Sequence, residues 1–281
     1  MQIVIPMAGE GKRFRDAGYD VPKPLIEVDG KPFIEYVVDF FPGETDFVFI
    51  CNNEHLAASE LGSVLRRLCP KGKVVGIDLK KLGPVESILE AKDSIKDDEP
   101  TVVTYCDFNI AWDYADFKKT VTEKDVDSAA LCYTGFHPHL LGPNVYAGVR
   151  ADAKNFALEV KEKFSFTANK MDGWHQAGLF YFKSGAMLKK YSALTLAHAA
   201  PVRGEYYVSL LYDIILKDGL NSLVYPVKYF CQWGTPEDLA EYLEWARAVR
   251  SGQPFEVVTA AARGNRAEQQ QSFNYWKSYL S

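Results

Sequence analysis

Short apolar runs alternate with segments of helical periodicity in the first half of the chain. The apolar runs predict four buried strands, at residues 2–7, 47–51, 73–78 and 101–106. Between them, apolar positions recur at the spacing of one helix face over 61–68 and again over 85–89. Strands and helices in this alternation favour a largely parallel sheet with helices on both of its faces.

The second half is richer in strand-like segments and ends in helices. Further strands are predicted at residues 127–133, 145–150, 156–164, 178–183 and 222–229. Helices are predicted at residues 186–191, 206–217 and 236–250. The last helix has Thr235 in position to cap it, Pro236 in its first turn and Asp238 at its third position. Residues 251–254, Ser-Gly-Gln-Pro, are expected to end it.

The pattern changes after residue 250. Residues 263–271 are polar, and we expect a surface arm or a loose helix there, closed by an aromatic run at 273–276. No internal repeat and no linker rich in Pro, Gly or Ser divides the chain. We therefore expect one α/β domain over residues 1–250 and a C-terminal extension, 251–281, that packs on it or forms a surface arm.

Composition and charge exclude several classes of protein. The 281 residues are 47% hydrophobic and 25% charged, and 32 basic against 37 acidic residues give a net charge of −5. No basic cluster supplies the cationic face that nucleic-acid binding needs. Five cysteines without a C-x-x-C pair argue against a secreted disulfide framework. Without a basic leader or an apolar run near the ~18 residues of a membrane helix, we expect a soluble, cytoplasmic protein.

The segment most suggestive of chemistry directly follows the first strand. It consists of Ala8, Gly9, Glu10, Gly11, Lys12 and Arg13. Small residues at the end of a parallel strand let backbone N–H groups approach a phosphate, and the two cations add charge. A tight turn between strand and helix would explain the same glycines. Because Phe14 replaces the third glycine of a dinucleotide fingerprint and no P-loop follows, the pattern favours another class of nucleotide site.

Lys23 stands between two prolines. Pro22 and Pro24 restrict the backbone, so the lysine is presented on a stiff loop. Alone, this pattern is typical of a rigid surface turn with a solvated lysine. Together with the glycine-rich segment, it indicates a cation that neutralises a reacting phosphate.

Two later segments carry charged residues at informative places. Asp107 follows the predicted strand at 101–106, where ligands of open parallel sheets usually bind, and its carboxylate suits Mg²⁺. A turn-forming aspartate is the alternative. The triplet Lys-Glu-Lys at 161–163 lies on a predicted strand, where neighbours alternate faces, although a solvated charge run is its ordinary meaning. The five histidines offer no metal set.

Three of these motifs together resemble the N-terminal signature of the sugar-phosphate nucleotidyltransferases. They are the segments 7–14, 22–25 (Pro-Lys-Pro-Leu) and 30–32 (Gly-Lys-Pro), and the resemblance extends to about residue 245. It implies a Rossmann-like three-layer αβα sandwich, shared with the GT-A glycosyltransferases. It also implies transfer of a nucleoside monophosphate from a triphosphate to a phosphorylated sugar or similar acceptor, with release of pyrophosphate. The chain looks closest to small bacterial enzymes of capsule and surface-polysaccharide gene clusters.

The resemblance assigns roles at the nucleotide end of the site. The backbone at 9–12 would hold the triphosphate, Arg13 the departing pyrophosphate, and Lys23 the charge that builds at the α-phosphate. Gly83 and Ser87 match the family loop beside the base and sugar, although an ordinary helix start explains them nearly as well.

It also assigns the acceptor and metal positions. Glu162 matches the acid that binds sugar hydroxyls and Lys163 the lysine that binds the acceptor phosphate, with Gly178 following at a familiar distance. Asp107 matches the Mg²⁺ ligand. Many relatives have a second metal-binding aspartate where this chain has Gln232, whose amide oxygen is uncharged. Either Mg²⁺ then depends more on Asp107 and the phosphates, or another carboxylate substitutes.

Two other functions compete with this one. A GT-A glycosyltransferase would also carry a pattern like Asp107-Phe108-Asn109 at a strand end, but not the arginine-bearing glycine loop. A non-catalytic nucleotide-binding module is suggested by Gln232 alone. The expected partners are a nucleoside triphosphate and a phosphorylated small molecule, with the base, the acceptor and homo-oligomerisation left open by the sequence.

Overall fold

A computed structural model of the protein describes residues 1–78, 80–143, 146–252 and 263–281. Its strands are β1 (Gln2–Pro6), β2 (Glu27–Val28), β3 (Lys31–Pro32), β4 (Asp46–Asn52), β5 (Lys73–Ile77), β6 (Thr101–Thr104), β7 (Phe108–Ala111), β8 (Ser128–Tyr133), β9 (Gly148–Ala151), β10 (Ala157–Lys161), β11 (Trp174–Phe182), β12 (Ser222–Pro226) and β13 (Tyr229–Gln232). Its α-helices are α1 (Lys12–Asp16), α2 (Phe33–Asp39), α3 (Asn53–Ala58), α4 (Leu61–Leu68), α5 (Pro84–Glu90), α6 (Tyr114–Glu123), α7 (Gly185–His198), α8 (Leu210–Lys217), α9 (Pro236–Arg250) and α10 (Arg266–Leu280). Short 3₁₀ turns lie at Lys23–Leu25, Lys92–Ser94, Pro138–Leu141 and Lys170–Asp172.

Nine of the described strands form one sheet. One path through it has the order β10-β9-β11-β6-β1-β4-β5, and β8 joins β11 to β12. Strand β1 pairs in parallel with β4 and β6, as β4 does with β5 and β8 with β12. Strand β11 runs antiparallel between β6 and β8. The mainly parallel sheet predicted from the sequence is confirmed.

The sheet is covered on both faces, which makes three layers. Ile3 and Ile5 of β1 belong to one apolar core and Val4 to the other, because successive side chains of a strand point to opposite faces. Helices α2, α4 and α6 contribute to the core of Ile3, and helices α5, α7 and α8 to the core of Val4. The αβα sandwich expected from the resemblance is therefore confirmed.

A third, largely aromatic core lies beside the sandwich. It joins Phe14 and Phe33 from the N-terminal part of the chain to Trp233, to Trp245 of α9 and to Trp276 of α10. Helix α10 begins with a capping box between Asn265 and Glu268. The polar segment predicted to be a surface arm or a loose helix thus contains the start of a capped helix that packs through its aromatic positions.

Several predicted boundaries agree with the structure. Helix α9 spans the predicted residues, and Thr235 accepts a hydrogen bond from the Asp238 amide at 3.2 Å. Strand β1 lies within the predicted first strand. Gln253 and Pro254, predicted to end α9, and Val145, predicted to begin a strand, lie outside the described residues.

Other boundaries were wrong. The strand predicted at 156–164 ends at Lys161, because the chain turns there and Lys163 adopts a left-handed conformation with φ +53°. Lys161 and Lys163 therefore do not share one strand face. The strand predicted at 101–106 ends at Thr104. The one predicted at 222–229 ends at Pro226, and Tyr229 already begins β13, which pairs with β7 in a separate two-stranded sheet. The helix predicted at 206–217 begins only at Leu210, and the one at 186–191 extends over Gly185–His198.

Within the described ranges, no helix is both long and apolar enough to cross a membrane. The five cysteines are buried and free.

We expect Trp276→Ala to lower the free energy of unfolding by about 3–5 kcal/mol, because it removes a large side chain that is 5% exposed in the aromatic core. Urea denaturation followed by circular dichroism measures this change. Gln271→Ala, on the exposed side of the same helix, is the matched control and should stay within about 0.5 kcal/mol of the parent protein. Equal stabilities of the two variants would show that α10 does not contribute to the fold.

Candidate active site

All of the predicted site residues line one cavity of about 550 Å³. They are Ala8, Gly9, Glu10, Gly11, Lys12, Arg13, Lys23, Gly83, Ser87, Asp107, Glu162, Lys163, Gly178 and Gln232. The cavity opens beyond the C-terminal ends of the central strands β1 and β6. This edge is where open α/β sheets usually bind ligands, because the loops after parallel strands converge there.

The glycine-rich loop leads directly from β1 into helix α1. Gly11 caps that helix with φ +63°, a left-handed conformation that favours glycine. No atom of the described residues lies within 4 Å of the place where a Cβ on Gly9 would be, so the backbone there is open to a ligand. The Lys12 ammonium pairs with Asp16 at 2.5 Å on the surface, whereas Arg13 is exposed at the cavity and pairs with no group in the described part of the chain.

Lys23 occupies a fixed position on the cavity wall. Its ammonium donates to Oδ2 of Asp107 at 2.5 Å and to the carbonyl oxygen of Gly234 at 3.0 Å. Only 20% of its side chain is exposed. Proline on either side holds the backbone in a short 3₁₀ turn. Two residues singled out separately in the sequence therefore form one ion pair.

The short sheet of β7 and β13 brings the two predicted metal positions together. Gln232 is in register with Phe108, the residue after Asp107, and the amide of Trp233 donates to the Asp107 carbonyl at 3.0 Å. The buried Gln232 side chain has its own partners: Tyr146 donates to its amide oxygen, and its amide nitrogen donates to Asp238. Asp238, interpreted from the sequence only as part of a helix start, is thus also linked to the cavity wall.

The donor set at this place is compatible with Mg²⁺. The described residues contain no group of three or more His, Cys, Asp or Glu side chains placed to hold a metal ion. Protein sites for Mg²⁺ often use one or two carboxylates, with substrate phosphates and water completing the shell. Asp107 on the cavity wall fits that pattern, whereas the amide oxygen of Gln232 already accepts a hydrogen bond.

Glu162 and Lys163 lie together on the cavity wall. Lys163 donates to the Tyr207 hydroxyl at 2.8 Å, and Tyr207 donates to Glu205. Ser209 donates to Glu162. Burial raises the pKa of the Glu162 carboxyl and lowers the pKa of the Lys163 ammonium, which Glu162 opposes. The protein therefore disfavours the charged form of each group before any ligand binds.

The loop between α7 and α8 contributes cavity residues that sequence reasoning missed. They are Arg203, Glu205, Tyr207 and Ser209. The left-handed conformations of Arg203 and Gly204 turn this loop back onto the site. The sequence Arg-Gly-Glu-Tyr-Tyr at residues 203–207 could have indicated a polar loop at the site, but its two tyrosines were assigned to the helix predicted at 206–217.

Gly83 and Gly178 shape the walls through close backbone contacts. A Cβ on Gly83 would lie 2.9 Å from the amide nitrogen of Tyr206, and Gly83 has φ +94°. Tyr206 also donates to the Leu82 carbonyl at 2.8 Å, so the α7–α8 loop is fixed against the start of α5. A Cβ on Gly178, which has φ +81°, would lie 3.1 Å from Cδ2 of Tyr105, so the glycine leaves room for that ring.

Comparison with known proteins gives one consistent family. Residues 3–162 match the family described as MobA-like NTP transferase domain. The bifunctional protein GlmU of Cupriavidus taiwanensis is 25% identical over 224 residues, which are 79% of this chain and 46% of that protein. GlmU of Methanococcus maripaludis is 27% identical over 99 residues, 35% of this chain and 23% of that protein. The chain thus spans less than half the length of either of these curated relatives.

Solved structures show the same fold. A nucleoside-diphosphate-sugar pyrophosphorylase from Vibrio cholerae superposes with a TM-score of 0.69 at 21% identity, covering 86% of this chain and 99% of that one. The inositol-1-phosphate CTP transferase from T. maritima gives 0.68 at 18% identity, with coverages of 90% and 97%. At these identities the likeness establishes the fold.

We expect Glu162→Gln to melt at a higher temperature than the parent protein at pH 8. A carboxyl whose pKa is higher in the folded than in the unfolded state stabilises the folded state at pH values below its unfolded-state pKa. That stabilisation is lost as the pH rises through the folded-state pKa. The parent protein therefore bears the cost of the charge at pH 8, while the amide bears none. Thermal denaturation at a series of pH values from 8 down to about 4 should show that the difference in melting temperature between the two proteins becomes smaller. Glu159→Gln, on the exposed side of β10, is the control, and a constant difference for Glu162→Gln would contradict the assignment.

Proposed function

Because the chain belongs to the MobA-like NTP transferase domain family, we propose that it transfers a nucleoside monophosphate from a nucleoside triphosphate to a phosphorylated sugar or similar acceptor. Pyrophosphate is the second product. The chemistry would belong to the cytoplasm and supply precursors of capsule or surface polysaccharide, as the resemblance of the N-terminal motifs implies. The base and the acceptor are left to experiment.

One observation carries the proposal. A single cavity is lined by several cations, which include Arg13 and Lys23 beside the glycine loop and Lys163 with Arg203. Arg13 and Arg203 each contribute to lowering the pKa of Lys163, so their charges act on the same space. Two phosphorylated substrates that meet in this cavity would each find cations for their phosphates.

The residues support an in-line reaction. A phosphate oxygen of the acceptor attacks the α-phosphorus of the triphosphate, the new P–O bond forms, and the bond to the β-phosphate breaks to release pyrophosphate. Catalysis of this kind depends on positioning and on stabilising charge, with little covalent chemistry from the protein. The open backbone at Gly9 would approach the triphosphate, Arg13 would stabilise the departing pyrophosphate, and Lys23 the charge that builds at the α-phosphate.

Asp107 is the residue that would hold Mg²⁺. When bound, the cation would neutralise phosphate charge beside Lys23. Gln232 lies on the neighbouring strand and offers an uncharged oxygen, so we assign the main contribution to Asp107. The ion pair with Lys23 holds the Asp107 carboxylate in one position on the cavity wall.

A matrix of the four nucleoside triphosphates against phosphorylated sugars and alcohols, read by pyrophosphate release, tests the proposal. At least one pair should turn over, and activity should disappear in excess EDTA and return with Mg²⁺. A glycosyltransferase would instead release a nucleoside diphosphate from an activated sugar. Nucleotide binding without turnover in any combination would favour a non-catalytic module.

Lys23→Ala should reduce kcat by about 10²–10³-fold, because it removes a fixed cation from the place where charge builds. Steady-state pyrophosphate release with the active substrate pair measures the loss. Lys31→Ala is the control, since Lys31 pairs with Asp39 outside the cavity and should leave kcat unchanged. Near-parental turnover of Lys23→Ala would refute the role of Lys23.

Lys163→Ala should lower kcat/KM for the acceptor by about 10- to 150-fold and leave nucleotide affinity nearly unchanged, because a charge-assisted hydrogen bond to the acceptor phosphate is lost. Acceptor saturation curves at fixed nucleotide provide the measurement. Lys161→Ala is the control: Lys161 ends β10 outside the cavity, with its ammonium 4.1 Å from the centre of the Phe164 ring. A similar loss in both variants, or a defect confined to the nucleotide, would remove Lys163 from the acceptor site.

A further inference from the structure

A connected row of polar side chains leads from the cavity wall to the C-terminal part of the chain. Its members are Tyr146, Gln232, Asp238, Arg263 and Glu241. Tyr146 and Gln232 line the cavity, and Asp238 and Glu241 lie on the first turns of α9. Arg263 precedes α10 and lies well outside the residues 3–162 that match the family.

Arg263 is placed to neutralise two buried carboxylates. Its guanidinium donates to Asp238 and lies 3.4 Å from Oε2 of Glu241, while its backbone amide donates to Oε1 of Glu241 at 3.3 Å. The two carboxylate side chains are only 6% and 4% exposed. Burying such a pair on one helix is costly without a counter-charge, so the pair depends on a cation from another segment.

The charge on Asp238 determines which way the Gln232 amide faces. A carboxylate can only accept hydrogen bonds, so Gln232 must turn its NH₂ group toward Asp238. Its oxygen then faces the Tyr146 hydroxyl, which donates to it. Thr235 donates to the same carboxylate at 2.8 Å, which adds a second donor.

We propose that Arg263 is a positioning residue of the active site: by holding the Asp238 carboxylate in place, it fixes the Gln232 amide in one orientation on the cavity wall. The C-terminal segment thereby completes a site whose other residues come from the αβα domain. The expected effect on catalysis rests on the proposed nucleotidyl transfer. The orientation of the amide does not, and it can be measured separately.

The direct test follows the side-chain NH₂ group of Gln232 by ¹⁵N NMR of glutamine-labelled protein, with Gln232→Leu identifying its signals. In the parent protein these hydrogens should be protected from exchange with water, because one of them is donated to a buried carboxylate. Arg263→Met, which keeps the aliphatic stem but removes the charge, should lose that protection, and Arg263→Lys should keep it.

Arg250→Met is the matched control. Arg250, the last residue of α9, also pairs with a carboxylate, holding Asp29 through two contacts at 2.5 and 2.8 Å, but away from the cavity. Loss of a merely structural ion pair would affect both arginine variants alike. We expect the Gln232 signals of Arg250→Met to match those of the parent protein.

Asp238→Asn keeps the proposal testable if Arg263→Met fails to fold. It leaves Arg263 in place and removes the buried charge, and an asparagine amide can accept or donate. We expect loss of the same protection. Protection that survives in Asp238→Asn and in every folded Arg263 variant would overturn the proposal.

Kinetics provide the second readout. Arg263→Met should lower kcat by about tenfold or more, the range expected for a charge-assisted hydrogen bond, with Arg263→Lys largely restoring it. Arg250→Met should retain parental kcat, and an equal loss in both variants would show a structural role only. If the parent protein turns over no substrate pair, the proposed function fails, while the NMR result still decides the role of Arg263.

Discussion

The arrangement of the cavity depends on one ion pair, between the Lys23 ammonium and the Asp107 carboxylate at 2.5 Å. Lys23 follows the glycine-rich loop, Asp107 follows β6, and the lysine also holds the carbonyl of Gly234 after β13. A single side chain therefore joins three chain segments far apart in sequence. Both partners are partly shielded from water, which makes their attraction stronger than that of an exposed pair. The glycine loop and the ends of β6 and β13 are thus held in one relative position before a substrate enters, as catalysis by positioning requires.

Glu162 and Lys163, which we propose for the acceptor, are organised by an opposite principle. There, burial raises the pKa of Glu162 and lowers that of Lys163, so the fold opposes the charges it contains. The hydroxyls of Ser209 and Tyr207 satisfy these groups in place of ligand atoms. A phosphorylated acceptor would bring Lys163 an anionic partner in place of the Tyr207 hydroxyl. The free-energy cost of burying these charged groups would then be offset when the acceptor binds. This is a common reason why functional residues are not optimal for folding.

Local signals made much of this site readable from the sequence, and distant contacts account for the rest. The glycine loop, the prolines around Lys23 and the Thr235 cap act over a few residues, so their chemistry is visible in the sequence itself. The position of Asp107 followed from the rule that ligands bind at strand ends. By contrast, the bond between Lys23 and Asp107 joins residues 84 apart, and the one between Tyr146 and Gln232 joins residues 86 apart. The turn after Lys161 needs a left-handed lysine, which no pattern of apolar residues reveals. The role of Asp238 was hidden for the same reason, since its cation comes from Arg263.

The aromatic core beside the sandwich has a consequence for how the protein is made. Phe14 and Phe33 emerge early from the ribosome. Trp233, whose ring centre lies 5.2 Å from that of Phe33, follows some two hundred residues later. Tyr242 and Trp276, whose ring centres are 5.3 Å apart, come later still. Contacts of such long sequence separation form slowly, because a long loop must close first. The αβα layers of the N-terminal half can assemble during synthesis. The aromatic surface that includes Phe14 and Phe33, however, stays exposed to solvent until α9 and α10 have been translated. A ribosome that stalls late in the message would therefore release a chain with exposed aromatic side chains, the kind of species that chaperones bind.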